Sequence, residues 1–425
     1  MKGFGNIYFC LSRRIRKIIF CLLIFFIMPL SVSAVDLGLV TNLYTGFDGV
    51  GGDENTFEFK ADIWPRLSGI IGGNGEFYLS AGLTLGVTRT KAASTETSSY
   101  IVPELLRTEL SFRFGSMGIK FGRIFYNDPL SLIADGLFDG VQFNFNTMSG
   151  KFSAGAMYTG LLYKKNAGIN LTDYDLTTFN LPLDYSDFVN TYFASKRIIT
   201  AVEWDHPSIA EFLHLNISFL GQFDVNGADS RYNSQYFTLK AGIPFGSFLF
   251  EAGGSLGLWQ SALNNNNKNG LMFAGDFGLF WQLPASFQSR LSLTARIIGG
   301  AVNDRNTAFT TVTGKYFGEV LKLKISGLSM YSLNYSARFT RETGFSLAAS
   351  YFIRNDLGTV QGYPVSADSD GYFLGPELFT RFIWSPASDL QINARAGVFI
   401  PSMGNAGRDE KAKWRLELTV TISVF

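Results

Sequence analysis

Cysteine and histidine are nearly missing from this chain: its 425 residues hold two of each. Both cysteines, Cys10 and Cys21, fall within the first 34 residues, so the chain beyond has no thiol, disulfide or cysteine metal cluster. The histidines, His206 and His214, stand apart from any serine elbow, and neither Gly-x-Ser-x-Gly nor His-Glu-x-x-His occurs. Nothing nominates a catalytic residue, a cofactor or a metal, and the expectation is a protein that is not an enzyme. Loop carboxylates such as Asp53-Glu54 and Asp368-Ser369-Asp370 read as solvated acids rather than a Ca²⁺ site. Charge is also scarce, at 17% against the usual figure of about 25% for soluble proteins. The one long apolar run, Ile18–Leu30, is well short of the roughly 20 residues that span a bilayer as a helix.

That run has a basic segment in front of it (Lys2, Arg13, Arg14, Arg16, Lys17) and the small residues Ser31-Val32-Ser33-Ala34 behind it. This order predicts a secretory signal peptide over residues 1–34, cut after Ala34. Removing its five basic residues from the 36 in the chain leaves 31 against 35 acids, about −4, which argues against a nucleic-acid binder.

What the chain does have is glycine (45 residues), aromatics (15%, with 41 Phe) and alternation. The last strand is the clearest case. Trp414, Leu416, Leu418, Val420, Ile422 and Val424 share one face, and Arg415, Glu417, Thr419, Thr421 and Ser423 share the other. A period of two with one purely apolar face suits a strand with lipid on one side and water on the other. Similar segments recur from Val35 onward, separated by Gly/Asn/Asp/Ser clusters. The expected fold is all-β, a transmembrane antiparallel barrel over residues 35–425, in a bacterial outer membrane. Outer-membrane lipid is one expected partner. The barrel-assembly machinery is another, reading Trp414–Phe425, although Phe425 is out of phase with the apolar stripe.

Short connections (Gly115–Gly118, Thr147–Gly150, Pro244–Ser247, Arg341–Gly344, Ser385–Ser388) alternate with long ones (Lys91–Ser99, Asn127–Asp139, Lys164–Tyr192, Ser261–Gly270, Arg354–Asp370, Pro401–Lys411). With both termini in the periplasm the strand number is even. The segment Lys315–Ser326 alternates like a strand, but counting it gives nineteen. Phe317, Val320 and Leu321 also share a helical face, so its local form stays open between helix and strand, and parity assigns it to one long loop, Ala301–Ser326. The count is then about 18, in a range of 16–20. A barrel this wide keeps an aqueous lumen unless loops fold in, and Asn127–Asp139, Lys164–Tyr192 and Ala301–Ser326 are the candidates to constrict it.

The phase opposite the apolar stripe gives the candidate pore lining: Arg107, Arg113, Arg290, Arg296, Arg338, Glu377, Arg381, Arg395 and Arg415. Rings of arginine favour anions, so small polar, anionic solutes are the expected cargo. The competing reading is that these arginines pair with lumen acids such as Asp276 and Glu417 and stiffen the wall.

Two stretches resemble the alginate-export-type porins, 18-stranded outer-membrane channels. One is Gly122-Arg123 followed by Phe138-Asp139-Gly140-Val141. The other runs from Leu374-Gly375-Pro376-Glu377-Leu378 through Trp384–Leu390 to Gly397-Val398-Phe399-Ile400-Pro401. The resemblance covers about a quarter of the chain, and Lys164–Gly314 shows no such pattern. It implies passive passage of an anionic sugar or small acid through an arginine-rich constriction. Two other readings stay open: a transporter of hydrophobic substrates of the fatty-acid-transporter type, and a surface or adhesin barrel that transports nothing.

Overall fold

A computed structural model describes residues 32–425, apart from 52–53, 93, 228–229, 264–265, 285–286, 302–307, 358–369, 408–409 and 425. The expected leader up to residue 31, Asp53, Asp368-Ser369 and the terminal Phe425 therefore lie outside the described residues. Eighteen strands form one sheet: β1 Val32–Val50, β2 Glu54–Ile71, β3 Gly75–Lys91, β4 Thr95–Phe114, β5 Met117–Asn127, β6 Asp135–Thr147, β7 Gly150–Tyr158, β8 Arg197–Ile209, β9 Leu213–Asp224, β10 Ser230–Phe245, β11 Phe248–Leu263, β12 Asn266–Leu283, β13 Gln288–Ile298, β14 Leu328–Arg338, β15 Thr343–Arg354, β16 Phe373–Ala387, β17 Leu390–Phe399 and β18 Lys413–Val424. Each pairs antiparallel with its chain neighbour. β18 closes the ring on β1, from Val50↔Lys413 to Leu39↔Val424.

Closure follows from the strands' chemistry. Lipid cannot hydrogen-bond a bare strand edge, so each edge has to find another strand. The alternation sets which face looks outward. On β18, Leu416, Leu418, Ile422 and Val424 are exposed on the outer wall, while Glu417 points inward and accepts hydrogen bonds from Tyr44 and Arg415.

Parity gives the right number of strands and keeps Lys315–Ser326 out of the wall, and of its two local readings the helix is not the one formed. The segment forms a two-residue ribbon, Tyr316–Phe317 against Leu323–Lys324. Gly318 (φ +82°) and Lys322 (φ +51°) turn it tightly, which a helical face does not survive. Two expected long loops, Lys91–Ser99 and Ser261–Gly270, are mostly strand, because their polar residues continue the ladders Lys91↔Thr95 and Ser261↔Lys268. His206 is not in the turn that the following Pro207-Ser208 suggests. It lies instead within β8, opposite Leu215, and the turn falls at Ala210 and Glu211, both at positive φ.

All three expected loops fold inward and pack together. Loop 128–134 is shaped by Asp128, whose carboxylate accepts the N–H groups of Leu130, Leu132, Ile133 and Ala134. Loop 159–196 carries three short helices, α1 Lys164–Ala167, α2 Asp173–Asn180 and α3 Phe188–Tyr192. Thr172 and Asp175 form a capping box at the start of α2. Loop 299–327 joins the other two through Val312 N–H to Ile133 O (2.7 Å), Gly314 N–H to Gly168 O (2.9 Å) and Lys324 Nζ to Asn170 O (3.3 Å). Leu132, Ile133, Ile169, Phe309, Val312 and Leu323 make a shared apolar core inside the barrel.

One buried cluster ties this plug to the wall. Arg197, at the start of β8, bridges Asp175 of α2 and Asp224 of β9, and all three side chains are fully buried. Removing one partner from such a cluster leaves a charge with no solvent, at a cost of about 3–5 kcal/mol. Arg197→Ala should therefore free loop 159–196 while the strands stay paired. Limited proteolysis checks this: new cuts are expected between residues 160 and 195 in the variant, and an unchanged digestion pattern would contradict the anchor.

Candidate functional site

Beneath the plug lies a polar cavity of about 570 Å³. Its roof is Pro129–Ser131 of the first loop and Tyr316–Glu319 of the ribbon. Its wall includes Lys240, Glu251, Asp276, Arg296, Arg381 and Arg395. A second cavity, of about 730 Å³, sits at the short-turn end around Arg107, Glu109, Arg113 and Lys120.

The wall charges are unevenly matched. Lys240 meets Glu251 at 3.3 Å, and Arg296 Nε meets Asp276 at 3.2 Å. Arg395 Nη1 meets Glu417 at 3.3 Å, but its Nε is buried with no acceptor among the described residues. Arg381 donates to the Asn393 amide oxygen at 3.2 Å and has no carboxylate within 4.0 Å among the described residues. The register places Arg381 directly opposite Arg395. Two like charges facing each other across a ladder repel, so this pair favours an anion between or above it.

The arginines also fall into a row. Following the ladders sideways, Arg290 faces Ser336, Ser336 faces Ser346, Ser346 faces Arg381, Arg381 faces Arg395, and Arg395 faces Glu417. Arg338 lies opposite Gln288 on the short-turn side of this row and donates to the Arg341 carbonyl. Arg290 stacks over the Phe280 ring at 5.5 Å.

The remaining sequence candidates are committed elsewhere. Arg107 pairs with Glu109 at 2.7 Å and covers the Tyr78 ring. Arg113 lines the second cavity with Lys120. Arg415 is held by Glu417 and Tyr44. Glu377 is 2% exposed, and its carboxylate accepts the N–H groups of Glu319 (2.7 Å), Val320 (3.1 Å) and Leu321 (2.8 Å). It lines the first cavity and pins the ribbon to β16.

The loop anchors Asp128 and Asp175 escaped the sequence reading. Only Asp175 left a local sign, the Thr172-x-x-Asp175 spacing of a capping box. Burial raises the Asp128 carboxyl against its four backbone donors. Burial, then the charge of Arg415, lowers the Lys322 ammonium, and burial alone is the main cause for Lys324. Among the described residues no group of three or more His, Cys, Asp or Glu is placed to hold a metal.

No protein-family model and no curated protein matches the chain. Solved structures do. Over 93% of this chain and 99% of that one, it superposes on Pseudomonas aeruginosa OccK5 (OpdH) with a TM-score of 0.59 at 12% identity. P. aeruginosa OccK2 (OpdF), solved in complex with glucuronate, gives 0.55 at 12% identity over 93% and 99%. The outer membrane protein OprD of P. aeruginosa gives 0.53 at 13% identity over 91% and 94%. The chain shares its fold, a closed barrel of eighteen antiparallel strands, with these outer-membrane proteins.

Proposed function

We propose that the chain is an outer-membrane channel for passive diffusion of small polar solutes, with a preference for carboxylate-bearing anions. The observation that carries this reading is Arg381 opposite Arg395, with no carboxylate on Arg381 among the described residues. The glucuronate complex of OccK2 shows a protein of the same fold holding a sugar acid. The resemblance to alginate-export-type porins points to the same solute class. In support of it, Gly122-Arg123 and Phe138–Val141 meet in the wall, where Arg123 grips Asp139 at 2.9 Å. A pairing-only role fits Arg107, Arg296 and Arg415 but leaves Arg381 without a purpose.

The leader is proposed to end after Ala34, which would leave β1 paired with β2 from Val35↔Gly69 onward. Delivery by the barrel-assembly machinery through Trp414–Phe425 belongs to the same proposal.

A unit charge about 9 Å from a solute, at an effective dielectric near 45, contributes roughly 0.8 kcal/mol, about a fourfold change in partitioning. Arg381→Gln should therefore slow hexuronate uptake into proteoliposomes about fourfold while leaving uptake of the matching neutral hexose unchanged. Equal slowing of both solutes would mean a steric effect and would remove the anion preference. Glu377→Gln weakens three hydrogen bonds that hold the ribbon in the lumen. Its single-channel current should be larger and noisier than that of the unaltered protein, and an identical current would show that the ribbon does not limit flow.

A further inference from the structure

Along one seam of the barrel wall the ladder is much shorter than the strand it joins. β4 pairs with β5 only from Thr108↔Arg123 to Phe114↔Met117. Beyond Thr108, β4 continues for thirteen residues toward Thr95, paired with β3 alone. Its free edge is capped by side chains. The Ile101 carbonyl accepts Tyr185 Oη, the Pro103 carbonyl accepts Tyr192 Oη at 2.8 Å, and the Leu105 carbonyl accepts Arg123 Nη1. Pro103 has no N–H to offer a neighbouring strand, which suits an edge position. Arg123 is 5% exposed. It also grips Asp139 and donates to the Leu161 carbonyl at 3.0 Å, so loop 159–196 is wedged into the gap.

Beside this wedge is a cavity of about 560 Å³ with a mostly apolar lining. Its lining mixes the two faces of the wall. Trp64 and Leu106 belong to the lumen phase, in step with Asp62 on β2 and Glu104 on β4. Phe125 and Leu137 belong to the outward phase, out of step with the lumen residues Lys120 and Gln142. One cavity can touch both phases only where the wall is breached. Outside it, Ile101, Leu105, Phe125 and Leu161 are 41–56% exposed and continue the lipid-facing surface. Seven zipped pairs at about 3.4 Å per residue, tilted by about 40°, reach roughly 18 Å above the short-turn end, inside an apolar band about 25 Å tall.

We propose that the β4–β5 seam is a lateral lipid site: an acyl chain of the surrounding bilayer enters the wall between Leu105 and Phe125 and rests against Trp64 and Leu106. The occupant follows from continuity, since the cavity's outer rim is part of the lipid-facing surface. This site is independent of the anion preference, and its test does not read conductance.

The test uses native tryptophan fluorescence of the reconstituted full protein in bilayers whose acyl chains carry bromine. The signal of Trp64 is the difference between the unaltered protein and Trp64→Phe. That of Trp384, exposed on the outward phase of β16, is the difference to Trp384→Phe. The expected result is that brominated chains quench Trp64 to nearly the same degree as Trp384, and that Tyr192→Phe increases the quenching at Trp64. Quenching of Trp64 by acrylamide but not by bromolipid would overturn the proposal, because the cavity would then be filled with water from the lumen. No quenching by either would overturn it as well. If Trp64→Phe fails to assemble, Leu106→Trp places a reporter in the same cavity, with the same two outcomes.

Discussion

A strand in hydrocarbon has no water to satisfy its backbone, and every other feature of this molecule is arranged around that constraint. It forces β18 onto β1, and with both ends on one side it forces the strand number to be even. It also explains why the outer half of β4, an edge without a β5 partner, is capped by Tyr185, Tyr192 and Arg123. The glycines nearby serve the same end. Gly122 adopts φ +107°, and a Cβ there would collide with the Thr108 carbonyl, so the ladder needs glycine one rung before it ends at Thr108↔Arg123.

With the wall fixed in this way, function depends on what the loops do inside it. Three loops pack on one apolar core, and each is anchored by a buried carboxylate: Asp128 within its own loop, Asp175 to Arg197, and Glu377 to the ribbon. These acids cannot compensate the lumen arginines, because their oxygens are already engaged. The division of labour among carboxylates leaves Arg381, which faces Arg395, as the cavity cation with no carboxylate partner among the described residues, in a chain that is otherwise nearly balanced in charge. The charge pattern of the lumen therefore follows from how the plug is held.

The period-two alternation made the wall legible in the sequence, since lipid on one side and lumen on the other leave their mark on every residue of a strand such as Trp414–Val424. Parity resolved what alternation could not and excluded Lys315–Ser326 from the wall. The ribbon's true form stayed hidden because Glu377, which shapes it, is 58 residues from Glu319. The same holds for the seam: Tyr185 and Tyr192 read as ordinary loop aromatics, and their partners Ile101 and Pro103 are more than 80 residues away. The lumen arginines were found by phase, but which of them are neutralised depended on contacts that no local pattern records.

The central claim is that the open charge of Arg381, facing Arg395 across the ladder, selects the solute. The most direct measurement is the reversal potential of single channels of the unaltered protein in a potassium chloride gradient. The account predicts a potential displaced toward that of chloride. A potential at zero, or displaced toward that of potassium, would contradict it.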